Sequence, residues 1–218
     1  MEDLAAWPLF GLRLRCRAVS LRLVRESDLA RLAAIVPGDW QDNPHAERFA
    51  GQDAGQHRLR LQYQEYWRAL GTWSPASWAL PMAVEYSGAV VGVQQLEGDN
   101  FPVLRTVDSG SWLIREVRGR GVGVAMRMAV LGLAFDHLAA LAAVTSADLD
   151  NWASLGVSRR IGYADNGTGL VDSGKGPVEL QYLRLTAARW REAGHGREVT
   201  VTGFEPCRPW FGVSPPAS

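Results

Sequence analysis

The chain is short of several things. Its 218 residues contain a single lysine, Lys175, so arginine carries nearly all of the positive charge. Lys plus Arg total 23 and Asp plus Glu total 23. No basic excess therefore points to nucleic acid or to an anionic membrane surface. There are two cysteines, Cys16 and Cys207, near opposite ends. They form no metal-ligand spacing, and unpaired thiols in a reducing compartment are the expectation. His45, His57, His137 and His195 form no recognisable metal or triad pattern, so no metal is expected. No apolar run approaches the length that spans a bilayer. The start, Met1-Glu2-Asp3-Leu4, is acidic and lacks a basic region followed by an apolar one, so no signal peptide and a cytoplasmic location are expected. Internal repeats and low-complexity segments are also missing.

What remains is ordinary globular composition, 47% hydrophobic and 21% charged, in a chain long enough to bury a sizeable core. Residues 12–17 and 19–24 alternate apolar with charged or polar side chains, the period of half-buried strands. A helix follows from Ser27 or Asp28, with Leu29, Leu32, Ala33 and Ile35 on its apolar face and Pro37-Gly38 to end it. A second helical pattern runs from Gln56 to Leu70. Strands are predicted over 78–86 and 89–96, joined by the turn Ser87-Gly88. Further strands are predicted over 106–114, 142–147 and 178–185, with helices over 124–138 and 151–161. The order implies a mixed α/β fold around one central sheet. Residues 1–185 are read as the domain and 186–218 as a partly ordered C-terminal extension.

Arg118-Gly119-Arg120-Gly121-Val122-Gly123 stands between the Thr106–Ile114 strand and the helix beginning at Val124. A glycine turn before a helix gathers free backbone N–H groups at the positive end of a helix dipole, which suits a phosphate or pyrophosphate. It lacks the Lys-Ser/Thr of a P-loop, and its glycines at alternate positions differ from the dinucleotide fingerprint. Taken alone, it reads equally well as a tight strand-to-helix connection.

About thirty residues on stands Asn151-Trp152-Ala153-Ser154-Leu155-Gly156-Val157, followed by Ile161-Gly162-Tyr163. Arg-x-x-Gly-x-Gly (Arg118, Gly121, Gly123) paired with Asn-x-x-Ser resembles the GNAT superfamily of acetyl-CoA-dependent N-acyltransferases. Ser109-Gly110-Ser111-Trp112-Leu113 and the Asn-x-x-Ser-Leu-x-Val run resemble its RimJ/RimL-like branch, which acetylates ribosomal-protein N-termini and other amines. The similarity covers about residues 12–185 in element order and is sharpest from Ser109 to Tyr163.

The resemblance implies a mostly antiparallel twisted sheet of about seven strands flanked by helices, with a splayed strand pair that binds CoA. It implies that the pyrophosphate sits on backbone N–H groups from Arg118 or Gly119 through Arg120, Gly121, Val122 and Gly123 to Val124. The pantetheine arm would lie along the preceding strand at Leu113 and Ile114, a mode that relies on main-chain bonding. Arg118 and Arg120 would add charge to the phosphates; arginines in a turn are otherwise simply solvated.

By the same resemblance, Ser154 protonates the departing thiolate and Asn151 holds the pantetheine or a water. Helix N-capping explains Asn151 equally well, and Ser154 also reads as a small packing residue. The base is expected at Asp108, two positions before Gly-x-Trp-Leu. Strand alternation places Asp108 on one face with Gly110, Trp112 and Ile114. Asp108 also reads as a surface residue near a strand edge, and Asp148 and Asp150 are rivals. Ser111 stands where family members often have Tyr, so no tyrosine role carries over. Trp40, Tyr63, Tyr66, Trp67 and Trp73 could wall an acceptor pocket, though aromatics at helical spacing are more often core.

The expected reaction is direct transfer of acetyl from acetyl-CoA to a primary amine in a ternary complex, without a metal. The acceptor is a protein or peptide α-amine or a lysine. At pH 7 about one lysine side chain in a thousand is neutral, against roughly a tenth of α-amines, so an α-amine demands less of a base. Another acyl-CoA such as succinyl-CoA, a small-molecule amine acceptor, or a non-catalytic acyl-CoA-binding module are the alternatives. A homodimer is left open.

Overall fold

The computed structural model describes residues 4–40, 43 and 45–213. Among the described residues, nine strands form a single sheet: β1 (Arg13–Cys16), β2 (Val19–Leu23), β3 (Trp78–Tyr86), β4 (Ala89–Gly98), β5 (Thr106–Leu113), β6 (Ala142–Asp148), β7 (Ala164–Asp172), β8 (Pro177–Thr186) and β9 (Val199–Thr202). Their spatial order is β7-β8-β6-β5-β4-β3-β2-β1-β9. Every described pair is antiparallel except β5–β6.

The helices are α1 (Leu29–Ile35), α2 (Ala54–Gly71), the short α3 (Phe101–Leu104), α4 (Val122–Gly132), α5 (Trp152–Ile161) and α6 (Ala187–Ala193). On one face of the sheet, Leu29 and Leu32 of α1 and Tyr66 of α2 pack on Ala83, Val90 and Trp112. On the other, the buried helix α4 packs with Leu21, Met82, Leu96 and Val107. The result is three layers with an apolar core on each side of the sheet. No helix among the described residues is long and apolar enough to cross a membrane.

Local chemistry sets most boundaries. Asp53 caps α2: its carboxylate accepts from the Gln56 N–H at 2.8 Å, and the Gln56 side chain accepts from the Asp53 N–H at 3.0 Å. Pro81 lies inside β3 without a donor to give, and it falls just past the last β2 pair, Leu23 with Met82, where none is needed. Helix α4 starts two residues earlier than its apolar stripe suggests and passes into a π-helical turn at Leu133–His137.

Two strands exceed the expected seven. β7 reads Ala-Asp-Asn-Gly-Thr-Gly and is mostly solvent-exposed on both faces, so it carries no apolar alternation. β9 is only four residues long and lies beyond the last strand that periodicity marks. It pairs with β1 at the far edge of the sheet, Leu14 opposite Val201. Gly132 admits it against α4, since a Cβ there would come within 2.6 Å of Val199. In α6, Trp190 stacks on Phe135 at 5.5 Å and donates from Nε1 to Asp136 at 3.0 Å.

Candidate active site

β5 and β6 pair only over Thr106–Asp108 and Ala142–Val144. Beyond that, the Thr145 hydroxyl donates to the Ser109 carbonyl at 2.9 Å. β5 then stays with β4 as far as Leu113, while β6 stays with β8 as far as Asp148. Each strand is held by its outer neighbour, so the two part. A bulge in β4 assists: Val84 pairs with Gly92 but Glu85 pairs with Val90. The extra residue, Val91, uses its carbonyl to accept the Ile114 N–H at 2.9 Å.

The glycine turn lies at the open end. Gly119 (φ 72°) and Gly121 (φ 81°) are left-handed, which glycine alone adopts without strain. A Cβ at either would meet nothing within 4 Å, so the turn faces open space. Gly121 is the N-cap of α4 and no side chain caps this terminus. The first helical bond is Ala125 N–H to Gly121 O at 3.0 Å. The amides of Val122, Gly123 and Val124 therefore lack intrahelical acceptors, and with the helix dipole they form an anion cradle.

The turn opens into a cleft of about 690 Å³ between β5 and α5. Leu113, Arg118, Gly119, Gly121, Gly123, Val124, Asn151 and Ser154 all line it. Arg120 is exposed and lies outside the lining, and Val122 is buried. Ile114 is also outside the lining, its amide engaged by Val91.

Arg118 donates to the Leu113 carbonyl from Nε at 3.0 Å and Nη2 at 2.9 Å. It also grips Asp39 through Nη1 at 2.6 Å and Nη2 at 3.0 Å. This hydrogen-bonded pair holds the Asp39 carboxyl below the usual carboxylate range and raises the Arg118 pKa. Nothing in the local sequence signalled Asp39, which lies 79 positions from its partner.

Asn151 caps α5: its Oδ1 accepts from the Ser154 N–H at 3.0 Å. Val157, one turn on, packs against α4 so closely that a Cβ at Gly123 would lie 3.3 Å from it. Helix capping and interhelical packing thus place Asn151 and Ser154 beside the cradle.

A second cavity, of about 720 Å³, opens on the face covered by α1 and α2. Asp108, Gly110 and Trp112 of β5 line it with Val93, Gln95 and Glu97 of β4. Trp40, Ser111 and Trp112 line both cavities, so the two meet at this point. Glu97 stands directly across the ladder from Asp108 and accepts from the Gln95 side chain. The Asp108 carboxyl reaches solvent but is recessed. Desolvation raises its pKa, and the Ser109 N–H at 2.6 Å and the charge of Arg127 offset this in part.

Of the five aromatics considered for an acceptor wall, Trp40 and Tyr66 line this cavity. Trp73 instead stacks on Trp78 at 5.9 Å in a separate aromatic cluster, and Tyr63 pairs with Trp67 at 5.2 Å.

Comparison with known proteins fits this geometry. Residues 19–164 match the acetyltransferase (GNAT) domain family. The chain belongs to the GNAT acetyltransferase family. Among solved structures, Mycobacterium smegmatis RimJ in complex with CoA-disulfide is similar at 22% identity and a TM-score of 0.63, over 87% of this chain and 96% of that one. A structure described as a ribosomal-protein-serine acetyltransferase from Vibrio cholerae is similar at 14% identity and a TM-score of 0.62, over 80% and 97%. The spermidine/spermine N-acetyltransferase SpeG from Vibrio cholerae is similar at 12% identity and a TM-score of 0.59, over 80% and 98%. At these identities the likeness is one of fold.

This GNAT acetyltransferase carries one further residue that periodicity did not single out. Arg127 is the only charged side chain between Val122 and Phe135. It is 3% exposed and lies under the point where β5 and β6 part. Its guanidinium donates to Gln94 Oε1 at 3.3 Å, Thr145 Oγ1 at 3.4 Å and Ser111 Oγ at 3.3 Å. A lone arginine in an apolar helix was the available signal. Among the described residues, no group of three His, Cys, Asp or Glu side chains could hold a metal ion in this GNAT protein.

Proposed function

We propose that the protein transfers an acetyl group from acetyl-CoA to a primary amine, with the α-amine of a protein or peptide as the acceptor, by direct attack in a ternary complex. The observation that carries this reading is the meeting of two cavities at Ser111, Trp112 and Trp40. One opens onto an anion cradle and the other holds two opposed carboxylates. Acetyl-CoA would enter from the cradle, its pyrophosphate on the amides of Val122, Gly123 and Val124 and its pantetheine arm between the parted strands. The amine would enter from the other side, drawn as an ammonium to Asp108 and Glu97.

Asp108 takes the proton from the ammonium. Its raised pKa makes it a better base than an ordinary carboxylate, and an α-amine asks less of it than a lysine. The amine nitrogen then attacks the thioester carbonyl carbon, the C–S bond breaks, and the thiolate leaves with the electron pair. Ser154, on the donor side, supplies its proton. Asn151 orients the first turn of α5 that carries Ser154.

Glu47 and Glu65 also line the acceptor cavity, which favours a small polyamine as the second reading. Thiol release from acetyl-CoA, measured against a panel of peptides with free N-termini, blocked N-termini and internal lysines, and against spermidine, separates the two. Turnover confined to free N-termini supports the first reading, and turnover confined to spermidine replaces it with the second. Absence of acetyl-CoA binding in calorimetry overturns both.

A further inference from the structure

Arg127 has an unusual environment for a buried cation. Among the described residues it forms no ion pair, the Asp108 carboxylate acting on it only through space, and its hydrogen-bond partners are all neutral oxygens. All three contacts, at 3.3, 3.4 and 3.3 Å, exceed the usual N–H···O range. An arginine has five N–H donors, and those that these bonds do not use meet no acceptor better than the neutral Tyr163 hydroxyl. Close by lie the buried hydroxyls of Ser109 and Tyr163, which face each other and, from Tyr163, the guanidinium. The pocket holds a positive charge among neutral polar groups. Buried charges are normally paired, and an uncompensated one is costly.

The guanidinium is also part of the donor cleft, together with Ser111, Asn151 and Ser154. On α4, Arg127 follows Gly123 by four residues and so lies on the same helix face, about 6 Å further from the cradle. A donor whose phosphates occupy the cradle would run along this face and bring its acyl end toward Ser111. Asp148 and Asp150 line the same cleft, and among the described residues neither forms an ion pair with Arg127. The cleft's other arginines sit elsewhere: Arg118 is committed to Asp39, and Arg160 is exposed.

We propose that Arg127 anchors a carboxylate at the far end of the acyl group, so that the same site also transfers dicarboxylic acyl groups of the succinyl type from their CoA thioesters. A carboxylate accepts only, is anionic, and suits a guanidinium whose present partners are all neutral. The transfer chemistry is unchanged. The amine attacks the thioester carbonyl carbon, the thiolate departs with the C–S electron pair and takes a proton, and the distal carboxylate remains a spectator. This inference rests on the donor-cleft reading given above.

The test compares succinyl-CoA with butyryl-CoA, which has an acyl chain of the same length and no charge, using an acceptor that acetyl-CoA labels. Wild-type kcat/KM for succinyl-CoA should exceed that for butyryl-CoA by about tenfold or more. Arg127→Met should collapse this ratio to about one, and Arg127→Lys should restore part of it. A wild-type ratio at or below one, with acetyl transfer intact, overturns the proposal and leaves the proposed function standing. A high ratio that survives Arg127→Met also overturns it. Failure to bind any acyl-CoA removes both readings together. Should Arg127→Met fail to fold, the wild-type ratio and the Arg127→Lys variant still decide the matter.

Discussion

Asp39, just past the end of α1, occupies the guanidinium of Arg118 through two hydrogen bonds of 2.6 and 3.0 Å. The loop after α1 is thereby tied to the glycine turn, in the position where a phosphate would compete for the same donors. Their side chains are 44% and 38% exposed, so the pair itself stabilises the fold by no more than about 1 kcal/mol. Asp39→Asn should leave the melting temperature nearly unchanged and tighten CoA binding severalfold, as read by calorimetry at low salt. Weaker binding would mean that Asp39 orders the turn and does not compete with the ligand.

The cradle predicts a graded response at Gly121. Alanine there meets no neighbouring atom but must adopt φ 81°, which costs about 1–2 kcal/mol. Gly121→Ala should lower the denaturation midpoint and weaken CoA binding modestly. Gly121→Glu adds a carboxylate at the anion site and should abolish CoA binding in a variant that remains folded by circular dichroism. Unchanged affinity would place the pyrophosphate elsewhere.

As the proposed base, Asp108 would link activity to pH in a direction set by its raised pKa. The acid limb of kcat/KM should lie above pH 3.8, the value for an unperturbed Asp. Stability has the reverse dependence from a salt-bridged carboxylate. Because the folded form holds its proton more tightly than the unfolded one, ionisation becomes a cost as pH rises from 3.8 through the higher folded pKa. Asp108→Asn should therefore raise the melting temperature at pH 7, with the gain vanishing in acid, while slowing turnover by about a hundredfold or more. A variant that keeps wild-type kcat excludes Asp108 as the base.

Asn151 and Ser154 separate capping from chemistry. Asn151→Ala removes the α5 cap and should cost about 1 kcal/mol, whereas Asn151→Asp keeps a capping oxygen and should restore that stability. Ser154→Ala leaves the backbone N–H that Asn151 receives. It should lower kcat about tenfold or more with little change in CoA affinity. Equal losses in turnover and binding would assign Ser154 to packing.

Much of the fold was legible locally. Strand alternation over β1, β2 and β5, the Asn151 cap, and the glycine turn before α4 all report short-range preferences that the structure retains. Most residues that line the cleft beside the glycine turn were equally accessible, because a turn and a helix N-terminus build much of it from contiguous chain. β7 and β9 were not. β7 gains its place by pairing with β8 despite a polar, glycine-rich sequence, and four-residue β9 gains its place by pairing with β1 across the whole length of the chain.

By itself, then, the sequence determined the anion cradle, the Asn-x-x-Ser turn beside it and the alternating face that carries Asp108, since each follows from backbone preferences within a few residues. Only the tertiary structure decided that Asp39 would clasp Arg118, that two cavities would meet at Trp40, Ser111 and Trp112, and that Arg127 would be buried among neutral oxygens. Those features depend on which strands part and which helices cover them, and such choices are made by burial and pairing between residues far apart in the chain.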